Sequence, residues 1–354
     1  MSNNPTRLFD LLTYQYKEHP LEDAFCQKIK GKWHKYTTRQ VIQITRILSM
    51  GLMELGLKKG DKVAIASENR PEWNFVDFAC QQIGVVTVPM YPNIGPRDYE
   101  YILHEADVKL IFVSNNQILQ KIKTATFDLP RVKIFTFNNI RNEESWKRVL
   151  EIGKKGNVNT LKHISSSILP EDLTTIIFTS GTTGSPKGVM LSHKNILSNA
   201  LAIKNASLVK PGSRALSFLP LNHIYERTVV YLYIYLSVGV YYAENMDKIG
   251  ENLKEVKPHT FNTVPRLLEK VYDKIIKKGS ELSGLKKGVF NWAINLGLKY
   301  DPNAKQNAIQ KRQLKVARKL VFSKWQEALG GNLVQIQSGA ASLQPRLASV
   351  FWAA

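Results

Sequence analysis

Short, continuously apolar runs alternate with helical stretches along the first 140 residues of the chain. The predicted strands lie at 62–67, 85–91, 109–114 and 133–137, and the predicted helices lie near 38–55, 71–83, 97–106 and 116–124. Apolar strands that are separated by helices are typical of a mainly parallel sheet with both faces covered. The alternation therefore predicts an α/β fold in which helices flank the sheet.

A polar stretch interrupts this alternation between residues 141 and 167. Its many Lys, Asn and Ser residues and its weak periodicity predict a connection, with a domain boundary near Pro170. Beyond the boundary, further strands are predicted at 174–179, 214–218, 239–243, 259–263 and 333–337. We therefore expect two α/β subdomains, residues 1–170 and 171–354, built on two mainly parallel sheets flanked by helices.

The longest uncharged run, residues 228–243, is too short to cross a bilayer, because a spanning helix needs about 20 apolar residues. We interpret it as a buried helix followed by a buried strand. The N-terminus lacks the basic and apolar regions of a secretory signal. Cys26 and Cys80 have no metal-ligand spacing and suit core positions in a reducing compartment. We expect a cytoplasmic protein without a metal site of its own.

Positive charge is concentrated in one part of the chain. The protein has 49 basic and 29 acidic residues, which give a net charge of +20. Residues 257–324 hold 16 of the basic residues, and residues 280–330 form a basic helical insert with Trp292 and Trp325 on its apolar side. The excess fits either a solvated surface or a peripheral contact with an anionic membrane or another polyanion. No ordered nucleic-acid motif accompanies it, so we expect no specific nucleic acid partner.

The strongest chemical signal is residues 179–188, TSGTTGSPKG, which directly follow an expected strand. Glycines let main-chain N–H groups approach a polyphosphate, hydroxyls add hydrogen-bond donors, and Lys187 adds a point charge. The loop is not a Walker A motif, because Pro186 precedes the lysine and Gly188 follows it. Rather than a plain surface hairpin, we expect a phosphate cradle made by Thr179, Ser180, Gly181, Thr182, Thr183, Gly184 and Lys187.

Several parts of the chain resemble one enzyme family. TSGTTGSPKG resembles the signature phosphate loop of the adenylate-forming superfamily, which includes acyl-CoA synthetases, luciferases and the adenylation domains of peptide synthetases. Residues 219–227, LPLNHIYER, are similar to the LPLxHxxER segment of long-chain acyl-CoA synthetases, and Val264-Pro265-Arg266 and residues 319–331 match that branch. The resemblance covers nearly the whole chain. It implies the fold of the large N-terminal domain of a long-chain fatty acid CoA ligase.

The resemblance also implies roles for individual residues. The loop would hold the ATP phosphates, with Lys187 neutralising the β- and γ-phosphates, and His223 would lie beside the carboxylate and the α-phosphate. A glycine-rich loop that lines the adenine and acyl pocket, usually closer to SGGAPL, is matched by Ser338, Gly339, Ala340 and Ala341. Two positions depart from that pattern, since Ala340 replaces a glycine and Ser342 replaces a proline.

Other residues near these motifs are expected to be structural. Glu226 and Arg227 suit a local charge pair, and Ser192 suits the N-cap of a helix that begins at His193. The apolar wall at 229–242 fits either plain core or the lining of an acyl tunnel.

The implied enzyme works in two half-reactions. A fatty carboxylate attacks the α-phosphate of Mg-ATP to give acyl-AMP and pyrophosphate, and the thiol of coenzyme A then displaces AMP. ATP, Mg²⁺ and coenzyme A are therefore the implied cofactors and co-substrates beside the fatty acid. Two alternatives stay open: an adenylate-forming enzyme with another acceptor, and a non-catalytic protein that binds membranes.

The end of the chain predicts a fragment. A helix that begins at Pro345 stops at Ala354 among apolar residues, without a C-cap glycine or a polar tail. In the family, the metal-binding glutamate, the ribose-binding aspartate and the C-terminal domain with its catalytic lysine come later. We therefore expect that the C-terminal domain is absent and that the fragment alone is inactive.

Overall fold

A computed structural model describes residues 4–179 and 186–354 and divides them into two compact units. Unit 1 consists of the described residues up to Gly212 together with Ser217–Tyr242, and unit 2 consists of Ser213–Leu216 together with Ala243–Ala354. The subdomain boundary predicted after residue 170 falls inside unit 1. These compact units are therefore a different division of the chain, and the two subdomains 1–170 and 171–354 stay a prediction.

The elements follow each other along the chain with these bounds. The strands are β1 Phe25–Ile29, β2 Lys32–Tyr36, β3 Lys62–Ala66, β4 Val86–Met90, β5 Val108–Val113, β6 Lys133–Thr136, β7 Leu173–Thr179, β8 Lys187–Ser192, β9 Arg214–Ser217, β10 Gly239–Tyr242, β11 Thr260–Thr263 and β12 Gln335–Ser338. The α-helices are α1 Asp10–Glu18, α2 Thr38–Glu54, α3 Pro71–Gln82, α4 Pro96–Glu105, α5 Asn116–Ala125, α6 Trp146–Gly153, α7 Val158–Ser166, α8 His193–Ala202, α9 Ile224–Tyr235, α10 Ile249–Val256, α11 Pro265–Ser280, α12 Gly284–Leu298, α13 Ala308–Ala317, α14 Ser323–Ala328 and α15 Pro345–Ala353. A 3₁₀ turn at Lys204–Ala206 and a π-helical turn at Arg318–Phe322 complete the set in the described part of the chain.

The main sheet of unit 1 has six strands in the order β6-β5-β3-β4-β7-β8. Five of them are parallel, and β8 runs antiparallel to β7 at the edge. The central strands β3 and β4 are buried along almost their whole length, as expected when helices cover both faces. The predicted α/β class is confirmed, and the strands and helices predicted within the first 140 residues are confirmed to within one residue at each end.

Unit 1 also contains the strands β1 and β2, which the sequence pattern did not reveal. They form an antiparallel hairpin whose two-residue turn, Lys30-Gly31, has a positive φ at both positions. Such a turn is usually signalled by Asn-Gly or Asp-Gly. Because β2 is largely exposed and polar, its sequence also lacks the alternation of a half-buried strand. On the other side, β1 pairs in parallel with β10.

The segment at residues 141–167, predicted as a connection, contains the helices α6 and α7, which the sequence pattern did not reveal. Helix α6 packs closely on α2 through two glycines. A Cβ atom on Gly51 would lie 2.1 Å from the carbonyl oxygen of Val149, and one on Gly153 would lie 1.9 Å from that of Ile47. Short helices of this kind are stabilised by tertiary packing rather than by their own sequence. The weak periodicity of the segment therefore did not predict its two helices.

The uncharged run at 228–243 forms the buried helix α9 and the buried strand β10, as predicted. Cys26 and Cys80 are buried, which confirms their predicted place in the core. None of the described helices is long and apolar enough to cross a membrane.

Unit 2 places three parallel strands beside a set of helices. Strand β11 lies between β9 and β12. The helices α12 to α14 share an apolar core that includes Phe290 and Phe322, with Trp292 and Trp325 packed half-buried against it. This confirms the predicted basic helical insert and its apolar side. The helix predicted from Pro345 is also confirmed, as α15.

Helix α8 begins at a buried histidine. The Ser192 hydroxyl caps it by accepting from the N–H of Asn195 at 3.2 Å, as predicted. His193 is only 1% exposed, and its Nδ1 accepts from the N–H of Leu8 at 3.3 Å. Burial, followed by the charge of Arg7, lowers the pKa of His193 from 6.5 to about 4. The ring is therefore neutral in the folded protein near neutral pH.

We expect His193 to make unit 1 less stable in mild acid. Between about pH 6.5 and 4 the unfolded chain binds a proton on His193 that the folded chain does not, so stability present above pH 6.5 is lost as the pH falls. The slope is at most about 1.4 kcal/mol per pH unit. Urea unfolding from pH 7 to 4.5 measures it. His193→Gln, which keeps a hydrogen-bond acceptor but does not titrate, should show a shallower slope, and equal slopes would contradict the assignment.

Candidate functional site

The predicted phosphate loop is carried by a hairpin of unit 1. Strands β7 and β8 pair antiparallel, and Thr179 at the end of β7 lies opposite Lys187 at the start of β8. Both residues are exposed. The other predicted members of the cradle, Ser180, Gly181, Thr182, Thr183 and Gly184, lie outside the described residues. The described flanks thus place a hydroxyl-bearing and an ammonium-bearing residue opposite each other at the end of the hairpin.

Packing explains the last glycine of the motif. A Cβ atom on Gly188 would lie 2.8 Å from Cγ2 of Ile176 and 3.3 Å from Cζ of Phe178, so a larger residue would push the hairpin strands apart. Tyr101 supports the same hairpin, because its hydroxyl donates to the carbonyl oxygen of Pro186 at 3.0 Å. Gly188 therefore serves strand packing, which differs from the phosphate approach that the sequence suggests for the motif glycines.

Strand β7 ends at the edge of the sheet where ligands usually bind. Strands β3, β4 and β7 are parallel, so their carboxyl ends lie at one edge. Open α/β sheets bind ligands beyond this edge. Thr179 ends β7 there, and Met90 ends β4 there.

The segment that contains His223 is attached to this same edge. Asn69, which follows β3, donates from Nδ2 to the carbonyl oxygen of Leu219 at 2.6 Å and accepts at Oδ1 from the N–H of Leu221 at 2.9 Å. The side chain of the buried Asn222 donates to the carbonyl oxygen of Met90. The structure therefore places His223 at the carboxyl edge of the sheet that also carries Thr179 and Lys187.

His223 is exposed and caps α9. Its Nδ1 accepts from the N–H of Tyr225 at 3.1 Å. A ring nitrogen that accepts a hydrogen bond carries no proton, so the neutral ring carries its proton on Nε2. The capping bond thus fixes one tautomer and leaves an outward N–H donor. Such a donor suits an anionic oxygen of a carboxylate or phosphate.

Glu226 and Arg227 are structural, as predicted, but their partners differ from the local pair that the sequence suggested. Arg227 forms a fully buried ion pair with Asp77 and donates to Oγ1 of Thr175 at 2.8 Å. Glu226 accepts from the hydroxyl of Ser217 at 2.6 Å. Sequence reasoning missed Asn69 and Asp77. They lie in the turn and the helix that follow the mostly buried strand β3, a place where polar residues are often functional.

The glycine-rich loop lies in unit 2 and is described by itself. Ser338 ends β12 opposite Thr263, the last residue of β11. The N–H of Gly339 donates to the carbonyl oxygen of Thr263 at 3.2 Å. The next residue, Ala340, has a φ of 64°, in the left-handed region. The glycine that the family pattern has here would adopt this conformation freely, whereas alanine is strained in it.

The donor set of unit 1 fits an anionic polyphosphate. Lys187 is exposed, and no acidic side chain among residues 4–179 and 186–354 forms an ion pair with it. The Thr179 hydroxyl and the His223 Nε2–H add neutral donors at the same sheet edge. One unpaired cation beside several donors is the chemistry that phosphate oxygens require. The individual roles of all predicted site residues stay predictions.

We expect Ala340→Gly to stabilise unit 2. The substitution relieves a left-handed alanine, which costs about 1–2 kcal/mol, and this gain exceeds the entropy that glycine adds to the unfolded chain. The matched control is the neighbouring Ala341→Gly, because Ala341 has no positive φ. Urea unfolding should give changes of opposite sign for the two variants. A loss of stability in both would show that residue 340 is not strained.

Comparisons with known proteins point to one family. Residues 12–354 match the family model described as AMP-binding enzyme. Long chain acyl-CoA synthetase 3 from Arabidopsis thaliana is 32% identical over 349 residues, covering 91% of this chain and 50% of that protein. Long-chain-fatty-acid–CoA ligase 5 from Rattus norvegicus is 32% identical, covering 91% of this chain and 48% of that protein. The chain thus spans about half the length of the curated relatives it matches.

A solved structure supports the fold. The adenylation domain of a carboxylate reductase from Mycobacterium chelonae superposes with a TM-score of 0.69 at 18% identity, covering 98% of this chain and 56% of that chain. At this identity the likeness shows the fold alone. Together the matches confirm the resemblance to long-chain acyl-CoA synthetases and the fold of an adenylate-forming N-terminal domain that the sequence implied.

Proposed function

Since this chain belongs to the family of AMP-binding enzymes, we propose that it forms the phosphate-binding part of an ATP-dependent long-chain fatty acid CoA ligase. The supporting observation is the sheet edge of unit 1: the β7–β8 hairpin there carries Thr179 and Lys187, and the segment that precedes His223 is hydrogen-bonded to the same edge. The reaction would join a fatty carboxylate to the α-phosphate of ATP with release of pyrophosphate. The thiol of coenzyme A would then take the acyl group and release AMP.

For this reaction the chain would have to position the fatty carboxylate and the triphosphate and to stabilise the negative charge of the phosphates. Lys187 would neutralise the β- and γ-phosphates, and the Thr179 hydroxyl would donate to a phosphate oxygen. The His223 Nε2–H would hold the attacking carboxylate or the α-phosphate in place. Mg²⁺ bound to the triphosphate would supply further positive charge. No side-chain nucleophile is needed, because the carboxylate itself attacks.

We expect Lys187→Ala to weaken polyphosphate binding while the fold is kept. Its side chain is exposed, so the substitution removes a charged donor without disturbing the core. One charged hydrogen bond contributes about 1.5–3 kcal/mol, so the affinity should fall by about 10- to 100-fold. Calorimetric titration of the 354-residue chain with tripolyphosphate and with ATP measures this.

The matched control is Lys194→Ala, which removes the same charge from the first turn of α8. Lys194 is also exposed and pairs with Glu171 at 3.1 Å. Its affinity for tripolyphosphate should stay within about twofold of the parent, since a distant surface charge is screened by salt. If both variants lose the same affinity for tripolyphosphate, the loss reflects net charge alone and contradicts a specific role for Lys187.

Unit 2 has a surface that suits the anionic membrane in which long-chain substrates dissolve. An apolar groove of about 770 Å³ lies among α11, α12 and α14, and its basic lining residues are Lys274, Lys278, Lys286 and Lys324. Leu285 at its rim is 90% exposed. Exposed apolar side chains beside lysines are typical of proteins that lie in the membrane interface. We propose a reversible peripheral contact through this surface, with each lysine contributing about 1 kcal/mol.

We expect the chain to float with vesicles of phosphatidylserine and phosphatidylcholine at low salt and to dissociate at high salt. Leu285→Ser should reduce the bound fraction severalfold, because it removes the most exposed apolar side chain of the groove. The control is Ile309→Ser, since Ile309 is 68% exposed but does not line the groove. No binding at low salt, or binding that salt does not change, would leave only a solvated basic surface.

A further inference from the structure

One side chain, Asn69, holds the loop that leads to His223. Its Nδ2 donates to the carbonyl oxygen of Leu219 at 2.6 Å and to Oγ of Ser217 at 3.3 Å. Its Oδ1 accepts from the N–H of Leu221 at 2.9 Å. Asn69 lies in the turn between β3 and α3, and its partners lie about 150 residues later in the chain. A single amide therefore makes three hydrogen bonds to one short stretch of backbone and side chain.

An amide suits this place because it carries donors and an acceptor on one rigid group. A carboxylate would keep the acceptor for the Leu221 N–H but would face the Leu219 carbonyl without a donor. An alanine would leave both backbone groups without their partner. Among the side chains of this size, asparagine alone satisfies all three bonds in this arrangement.

The three bonds of Asn69 join a larger network. Ser217 links Asn69 to helix α9, because its hydroxyl donates to Glu226 in the first turn of α9 at 2.6 Å. Asn222 attaches the other end of the loop to the carbonyl oxygen of Met90. His223 lies between these two anchors, and its ring is fixed by the N–H of Tyr225. A change at Asn69 should therefore reach the His223 ring without touching it.

We propose that Asn69 is a positioning residue for the adenylation reaction. It holds residues 217–223 against the carboxyl edge of the sheet, so that His223 keeps one place and one tautomer beside the phosphate hairpin. The proposal rests on the proposed function for the reaction that His223 serves. Its structural part, the effect of Asn69 on the His223 ring, is independent of that reaction.

The test uses selectively ¹⁵N-histidine-labelled 354-residue chain. Nitrogen chemical shifts report the tautomer of each imidazole, and His223→Gln identifies the His223 signals among those of the seven histidines. The parent should show an unprotonated Nδ1 and a protonated Nε2 at His223. Asn69→Ala should raise the fraction with a proton on Nδ1 and should speed hydrogen exchange of the Leu221 amide by about tenfold or more. Asn69→Asp should disturb the tautomer but leave Leu221 exchange closer to the parent.

Asn115→Ala is the matched control. Asn115 follows β5 at the same edge and caps α5 by accepting from the N–H of Ile118 at 3.0 Å, so its loss also costs stability. None of its described bonds reaches residues 217–223, so the His223 signals should not change. The proposal is overturned if Asn69→Ala leaves the His223 tautomer and Leu221 exchange as in the parent. It is equally overturned if Asn115→Ala shifts them as much.

The two variants at residue 69 keep the test decisive if one of them fails to fold. Asn69→Asp has the shape of the parent side chain and keeps one of its three bonds, so it reports on the same ring if Asn69→Ala unfolds. The outcome is also separable from the proposed function. If Lys187→Ala leaves tripolyphosphate affinity unchanged while the His223 signals respond to Asn69→Ala, the proposed function is contradicted and the anchoring of the loop by Asn69 is supported. If Lys187→Ala weakens tripolyphosphate binding but the His223 signals do not respond to Asn69→Ala, the proposed function is supported and the positioning role of Asn69 is contradicted.

Discussion

The buried ion pair between Arg227 and Asp77 is the interaction on which unit 1 depends. Both side chains are 0% exposed, and the guanidinium also donates to Thr87, Thr175 and Tyr231. Burial alone lowers the pKa of Arg227, but Asp77 and then Tyr231 raise it, so the group stays charged in the core. Removing one partner of such a pair typically costs about 3–5 kcal/mol, because the other charge is left buried and uncompensated.

The position of this pair explains how a structural core supports a site. Its members come from α3, β4, β7 and α9, four elements that are distant in sequence. The carboxyl end of β7 carries Thr179, and the first residue before α9 is His223. The same hydrogen-bonded core therefore fixes the hairpin that flanks the predicted phosphate loop and the helix whose cap is the histidine. A rigid element of this kind positions reacting groups better than a loop alone.

Unit 2 combines a packed apolar core with an exposed groove and a strained loop. Its helices are joined by an apolar core, yet the groove beside them leaves leucines and lysines exposed together. Its glycine-rich loop keeps an alanine in a left-handed conformation, although glycine would remove the strain. Strain that persists at a loop after the carboxyl end of a strand is common at functional sites. These features agree with a unit whose exposed loop and surface serve binding.

The sequence by itself determined the parts of this protein that depend on local order. Alternating apolar runs predicted the α/β class, nine of the twelve described strands and the bounds of four helices, because backbone periodicity is a property of neighbouring residues. The motif at 179–188 indicated phosphate chemistry for the same reason, since its glycines, hydroxyls and lysine are consecutive. The helices at 146–153 and 158–166 escaped prediction because their stability comes from packing, as at Gly51 and Gly153.

Only the tertiary structure decided which residues act together. Asn69 meets Leu219, and Asp77 meets Arg227, across 150 residues of chain. No spacing rule connects such pairs, because they meet only when parallel strands bring their carboxyl ends to one edge. The local sequence at Arg227 suggested Glu226 as its partner, whereas burial made Asp77 the one that compensates its charge. Local chemistry could be read from the sequence, but the partners of each group were set by the packing of distant elements.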